Sequence, residues 1–462
     1  MDYDELIARH REQFRASMPS AMERLNWSAE ELAAERQRKL RTLLAWAKER
    51  SPFYQKRLAG TDPATFTEAD LPSIPALTKD ELMDNFDAVL TDPQLTLGLV
   101  NDHISQLTSD AYLLDSYHAV ASGGTTGRRG VFVYGWDEWM AVGQQGLRWR
   151  IRRTAGSPQV QQALTFGSVV ADRASHISSS APLLTVSTAG TAMLRFPITL
   201  PLAEVVAGLN AGQPNALLAY PSALDLLMGE ARSGRLNISP VVVVSSGEVL
   251  TDATRESVRA VWQAEIADSW ACSEGLYATP CDAGTAMHWS DDLAIIEPVD
   301  QHGDPVPPGV PAAKILITSL FQLTQPLIRY EITDEMTLLD EPCACGCAHR
   351  RIANLTGRSD DLFRYGEATV VHPLVFRSPL GRDRHVVEYQ VMQTPRGAAI
   401  YVRTESAAPL EPLRHQIIGD LTGAGLADPE VTITKVDYID RLPTGKQHRF
   451  IPLGHPANTA QP

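Results

Sequence analysis

Cysteine is scarce in this chain of 462 residues: there are five, none before Cys272 and none after Cys347. That crowding is unlike a disulfide framework and fits a reducing compartment. No apolar run approaches the length of a membrane span. Residues Met1 to Ser20 mix acids and bases around no apolar core, so no secretory signal is read there. The expected location is cytoplasmic, with no membrane partner. Net positive charge is missing too. A formal charge of −14 speaks against a protein that holds nucleic acid through its overall field. A small anionic ligand could still be received locally, by glycines, lysines or a metal. No internal repeat and no low-complexity tract is found.

What remains is 44% hydrophobic and 21% charged, the balance of a globular chain long enough for two or three domains. One stretch organises it: Ser122-Gly123-Gly124-Thr125-Thr126-Gly127, between the strand-like runs His118–Ala121 and Val131–Tyr134. Three glycines let a backbone turn tightly and approach a ligand, while the hydroxyls add donors. The loop suits the phosphates of a nucleotide, although the G-x-x-x-x-G-K-[ST] spacing cannot be laid over it. Taken alone, it could equally be a glycine-rich hairpin turn.

Ser28-Ala29-Glu30-Glu31 is a capping-box pattern, followed by Leu32, Arg36, Leu40, Leu43, Leu44 and Ala47 at helical spacing. Ser51-Pro52 ends that helix. Thr78-Lys79-Asp80-Glu81 opens a second helix, through Leu82 and Phe86. After the glycine loop, strands are expected at Ala163–Phe166, Ala216–Tyr220, Val241–Ser245 and Glu265–Trp270, with a helix from Thr251 to Gln263. A run such as Val241–Val244 is apolar on both faces, as in a buried strand of an α/β sheet. Strands without helices follow at Leu293–Ile296, Ile315–Thr318 and Leu327–Ile332. Beyond Gly357, two strands (Val386–Gln393 and Ala398–Arg403), a helix near Glu411–Leu421 and a strand at Val431–Tyr438 make a small α+β domain. The expected fold is α/β, with a large multi-sheet N-terminal domain over 1–357 and a small C-terminal α+β lid domain over 358–462.

Six pieces stand in a fixed order: the glycine loop; Ser246-Gly247-Glu248; Trp270-Ala271-Cys272-Ser273-Glu274; Arg329-Tyr330-Glu331-Ile332-Thr333-Asp334; Gly357-Arg358-Ser359-Asp360; and Gly445-Lys446. Each alone is weak, yet the ordered set resembles the adenylate-forming enzymes, most closely their phenylacetate–CoA ligase branch. Ser51-Pro52-Phe53-Tyr54 and Leu77-Thr78-Lys79-Asp80 look like that branch as well. The resemblance implies ATP-dependent activation of a small carboxylic acid through an acyl-adenylate, followed by transfer to coenzyme A.

In that chemistry two anions must meet, so catalysis consists of positioning and neutralising charge. The resemblance implies that Ser122 to Gly127 close over the β- and γ-phosphates and that Ser246, Gly247 and Glu248 lie along the adenine. Trp270 would stack on the adenine, from a position usually held by tyrosine. Ser273 would bind the α-phosphate, Glu274 would hold Mg²⁺, and Asp334 would accept the ribose hydroxyls. Arg358 belongs to the nucleotide set. Lys446 would set its charge between the attacking carboxylate and the α-phosphate. Asp360 matches the hinge about which the C-terminal domain swings between half-reactions. Singly, Glu274 reads as an ordinary helix-start acid, Asp334 as a strand end and Lys446 as one more solvated base.

Relatives follow the hinge with a Gly-x-Asn-x-x-Pro stretch along the thiol tunnel. Here the chain runs Arg364-Tyr365-Gly366-Glu367-Ala368-Thr369-Val370-Val371-His372-Pro373, without the asparagine. The acceptor is therefore open between coenzyme A, a carrier-protein arm and an amine. Cys343-Ala344-Cys345-Gly346-Cys347 and the earlier pair Cys281 and His288 offer soft ligands of the kind that hold structural zinc. By the resemblance, Cys281, His288, Cys343 and Cys345 are the set, with Cys347 spare; the plain alternative is reduced thiols packed as small hydrophobes. By the resemblance, the acid pocket lies near Trp136, Phe166 and Trp270, and Trp136, Phe166 and His176 there suggest an aryl or arylacetic acid. Besides the CoA ligase, two other functions fit: an adenylating enzyme serving a carrier protein or amine, and a non-catalytic nucleotide-binding relative. A homodimer is compatible with the sequence, which does not fix the assembly.

Overall fold

The structure is a computed structural model, described here for residues 2–107, 111–122, 129–154, 165–170, 192–247, 250, 252–280, 286–356, 362–366, 369–383, 385–404, 409–439 and 449–454. Its centre is a ten-stranded mixed sheet. One half is parallel, in the order Ala192–Arg195, Thr165–Val169, Ala216–Ala219, Val242–Ser246 and Glu265–Ala271. The other half continues antiparallel through Tyr277–Pro280, Met287–Trp289, Arg351–Thr356, Glu335–Leu339 and Pro311–Ala312. The valine run behaves as its composition predicts. Val243 joins the core under the helices, while Val242 and Val244 pack with Phe166 on the opposite face.

Two smaller sheets flank this centre. Tyr117–Ala121 and Val131–Gly135 form an antiparallel hairpin around the glycine loop. Ala294–Val299, Lys314–Ser319 and Tyr330–Ile332 form a three-stranded sheet. At the C-terminal end, Glu430–Lys435, Gly397–Thr404, Val386–Thr394 and Phe450–Ile451 make a four-stranded sheet. Helices Leu374–Arg382 and Glu411–Gly423 accompany it around a core of its own. This is the large α/β body and small α+β domain expected. The sequence reading did not include the hairpin Phe363–Tyr365/Thr369–Val371, the helix Leu374–Arg382 or the strand Phe450–Ile451.

Local rules account for the N-terminal helices. The Ser28 hydroxyl accepts from Glu31 N–H and the Glu31 carboxylate accepts from Ser28 N–H, which starts the helix Ala29–Arg50. Ser51 ends it and caps the next helix, Pro52–Arg57. Thr78 caps Lys79–Asp84, but that helix stops at Asn85 and Phe86 begins a separate turn. These helices are sewn to distant strands. Leu77 exchanges backbone hydrogen bonds with Arg329 and Glu331, and the Tyr54 hydroxyl donates to Pro326 C=O at 2.9 Å.

Between the helices lies a charge pair invisible in the sequence. Arg148 donates twice to the Asp292 carboxylate, at 2.8 and 2.6 Å, with both side chains at most 1% exposed. Arg24 reaches the same carboxylate at 3.2 Å, and Lys39 donates to the Asp292 carbonyl. Burial alone would raise the Asp292 carboxyl. Arg148, helped by His349 and Lys39, outweighs it and holds the group well below the usual carboxylate range. Replacing Asp292 by alanine leaves a buried guanidinium unpaired and is expected to cost about 3–5 kcal/mol of stability. Denaturant unfolding at neutral pH measures it; a loss under about 1 kcal/mol would show the pair to be dispensable.

Candidate functional site

In open α/β sheets, ligands bind beyond the carboxyl ends of the strands, and described residues of three sequence motifs, Gly247, Trp270 to Glu274 and Asp334, lie near those ends. Gly247 follows the strand Val242–Ser246, with φ at +83°. A β-carbon there would lie 2.8 Å from the Tyr220 ring, so glycine alone fits. Trp270 ends the neighbouring strand, and its indole N–H donates to Asp334 Oδ2 at 2.9 Å. The same ring tilts against the buried Trp289 at 5.6 Å. Two motifs far apart in sequence thus meet through one hydrogen bond.

Ser273 and Glu274 follow at once, held by groups that carry no motif. The Tyr134 hydroxyl donates to Ser273 C=O, and Gln322 donates to Glu274 C=O at 2.9 Å. Gly275, with φ at +83°, lets Tyr134 approach: a β-carbon there would be 2.9 Å from its ring. Glu274 is buried. Burial, then its negative charge, pushes the phenols of Tyr134 and Tyr330 well above their ordinary pKa. The Cys272 thiol is raised for the same reasons and stays neutral. Ser122 closes the base of the glycine loop, its hydroxyl accepting from Gly130 N–H at 2.8 Å.

Lys79 is the residue whose role sequence reasoning missed. The pairing of Leu77 with the Arg329–Glu331 segment sets it at the N-terminus of its helix, in the field of Glu274 and Asp334. Burial pulls its pKa down and Arg449 adds to this, while the two carboxylates work the other way. Arg449 belongs to the C-terminal domain, where its guanidinium lies 4.5 Å over the Tyr389 ring. Lys79 and Arg449, one cation from each domain, therefore lie within each other's field. An anion bearing several charges would be received between them.

Asp268, two residues before Trp270, is buried with Arg255 at 3.7 Å. Burial outweighs that partner and raises its pKa from 3.8 to about 6. A raised carboxyl favours the folded state when protonated. Its contribution is thus full below about pH 4 and lost as pH rises through about 6, on the order of 2–3 kcal/mol. Asp268→Asn should remove that slope. Unfolding free energies of both proteins between pH 4.5 and 7 check it; parallel curves would refute it.

A second cluster lies at the far side of the sheet. The ligand atoms of His288, Cys343 and Cys345 are within 4.8 Å of one another, and His288 Nε2 is 3.3 Å from Cys345 Sγ. Tetrahedral zinc asks for ligand separations of about 3.5–3.8 Å. His288 Nδ1 donates to His349 C=O at 2.8 Å, which leaves the Nε2 lone pair facing the sulfurs. Burial lowers the pKa of this imidazole to about 4, so the ring is neutral. The donor set fits the metal. Cys347 is occupied elsewhere, with Leu25 C=O. His349 is as well, through Arg24 C=O and Asp291 N–H.

Two of the expected pocket residues, Trp136 and Phe166, are among the described residues. Trp136 stacks on His10 near Tyr112, while Phe166 packs with Ala216 and Val242 beneath Arg150. Gly123 to Gly127, His176, Glu248, Cys281, Arg358, Asp360 and Lys446 lie outside the described residues. Pro280, immediately before Cys281, is paired with Met287 beside His288.

No family model matches the chain. It is 25% identical over 381 residues to a phenylacetate-coenzyme A ligase of Thermus thermophilus, covering 80% of this chain and 79% of that protein. A phenylacetate-coenzyme A ligase of Aromatoleum evansii is also 25% identical, over 78% of this chain and 79% of its own. Among solved structures, a 2-hydroxyisobutyryl-CoA ligase with 2-HIB-AMP and CoA in the thioesterification state superposes with a TM-score of 0.59. It is 19% identical and covers 93% of this chain and 91% of its own. The resemblance carried by the six motifs is borne out, and the fold is the adenylate-forming one expected.

Proposed function

With the likeness to coenzyme A ligases as premise, we propose that this chain joins a small carboxylic acid to coenzyme A, using ATP and passing through a bound acyl-adenylate. The meeting of Trp270, Asp334, Glu274 and Lys79 at the ends of two parallel strands carries this reading. Asp334 would accept the ribose hydroxyls from the oxygen lone pairs that Trp270 leaves. Ser273 would bind the α-phosphate, and Lys79 with Arg449 would meet the leaving pyrophosphate. Glu274, a buried acidic side chain, fits a Mg²⁺ site; the ion would screen charge between phosphate oxygens. Lys446, three residues before Arg449, would supply the charge at the reacting centre.

Residues 1–357 form the body that holds nucleotide and acid, and 358–462 the part that swings, with Asp360 as hinge. The acid is aryl or arylacetic. A structural zinc on Cys281, His288, Cys343 and Cys345 staples two loops of the antiparallel half-sheet. A second acceptor, a carrier-protein arm or an amine, is favoured by one observation. The segment after the hinge lacks the asparagine and instead sends His372 against Tyr220. ATP–pyrophosphate exchange across a panel of acids, followed by addition of coenzyme A, tests the whole. Acid-dependent exchange with no thioester would leave the first half standing and move the acceptor elsewhere. No exchange with any acid, despite tight ATP binding, would point to the non-catalytic relative.

A further inference from the structure

Tyr220 ends the strand Ala216–Ala219 and begins the helix Pro221–Arg232. Its ring is buried against Gly247. Against the same tyrosine, His372 of the C-terminal domain lies nearly parallel, ring centroids 5.9 Å apart at 16°. That separation is within the range of offset aromatic stacks. His372 immediately precedes Pro373 and the helix Leu374–Arg382, which packs across the domain boundary on the helix Leu97–Gln106. A third contact brings the Gly425 turn against Pro201. At the far end of the same domain, Arg449 stands in the field of Lys79.

We propose that His372 docks the C-terminal domain for acyl-adenylate formation, using Tyr220 as its landing surface, so that it acts as a positioning residue for the first half-reaction only. This rests on the acyl-adenylate reading above. The pose described brings Arg449 of the C-terminal domain into the field of Lys79, which also feels the Glu274 and Asp334 carboxylates. If the domain swings away for the acceptor to enter, the stack must break. A contact made in one pose and not the other shifts the balance between poses without touching either substrate. Tyr220 also touches Gly247, on the strand end that would lie along the adenine. The landing surface is therefore part of the nucleotide site and stays with the body of the protein.

The test compares His372→Ala with His372→Phe. Two single-turnover rates are measured: acyl-adenylate formation from ATP and acid, and consumption of supplied acyl-adenylate by coenzyme A. Alanine is expected to slow the first roughly three- to tenfold, the weight of one aromatic stack. ATP affinity should stay within about twofold of the original, since no substrate contact is lost. Phenylalanine should restore the rate, and neither variant should slow the second step. Equal slowing of both steps by alanine, or failure of phenylalanine to restore the first, would overturn the proposal. If the unmodified protein makes no adenylate from any acid, the acyl-adenylate reading fails by itself. The docking is then read with distance labels at Glu30→Cys and Gln416→Cys, both exposed. Alanine at 372 should broaden that distance and phenylalanine should not; an unchanged distribution in the alanine protein would refute the docking role.

Discussion

Lys446→Ala is expected to slow acyl-adenylate formation about a thousandfold while ATP affinity changes by no more than about threefold. The asymmetry follows from where the charge is needed. As the acid attacks the α-phosphate, negative charge gathers on oxygens that in the ground state are separate and already screened. A cation aimed at that point lowers the barrier far more than it lowers the energy of the bound substrates. Single preorganised donors of this type contribute on the order of 10²–10³ in rate, and a full charge stands at the upper end. Arg449, three residues on, acts on Lys79 through its charge, as Glu274 and Asp334 do with the opposite sign. Rapid-quench measurement of adenylate, paired with equilibrium nucleotide binding, separates the two quantities. A variant that adenylates at the original rate would remove Lys446 from the chemistry.

The second large effect concerns stability. Purified protein should carry one zinc per chain, and Cys343→Ser with Cys345→Ser should lose it. The melting temperature should then fall by about 10 °C or more, because metal bound only by the folded state adds directly to folding free energy. His288 would keep its bond to His349 C=O but lose what its other nitrogen faces. The nucleotide site lies on other strands, so ATP binding by the remaining folded protein should persist. Elemental analysis and thermal melts in parallel decide this. Zinc-free protein with an unchanged melting point would return the cysteines to ordinary packing.

Much of the architecture was legible because its causes are local. The capping box at Ser28 and Glu31 announces its helix, and three valines at 242–244 announce a strand covered on both faces. The first helix, Tyr3–Glu23, was hidden: Leu6, Ile7, His10, Phe14 and Ala21 form its buried stripe, and the charges between them mask the period. The helix expected through Phe86 broke at Asn85, a residue that favours ends over interiors.

At the site, the kinds of residue were legible and their meetings were not. Trp270 and Asp334 could each be named from a motif, yet the hydrogen bond between them depends on two separate strands ending side by side. Lys79 was quoted in the sequence and given no role, because only the non-local pairing of Leu77 brings it to Glu274. Tyr134 and Gln322 lie in none of the six motifs, and Tyr330, which lies in one, shows nothing there of its place beside Glu274. Their positions are consequences of the hairpin and the three-stranded sheet closing over one another. The metal set was grouped through the family resemblance; the ligand atoms of His288, Cys343 and Cys345 lie within 4.8 Å of one another, and Cys281, the fourth of the set, lies outside the described residues.

The stitching of the N-terminal helices to the strands near residue 330 also sets a timetable. A ribosome extends a chain by about 5–20 residues per second, so the helix Ala29–Arg50 is complete roughly 15–60 seconds before its partners emerge. For that interval Leu40, Leu43 and Leu44, all fully buried in the finished protein, lack the part of their core supplied by Ile295, Ile315 and Tyr330. The earliest part of the chain to be made is thus among the last to be secured. Nascent chains stalled before residue 290 should be cut readily by protease within the first hundred residues, and chains stalled after residue 360 should resist. Equal resistance at both lengths would mean that the helices find shelter among themselves.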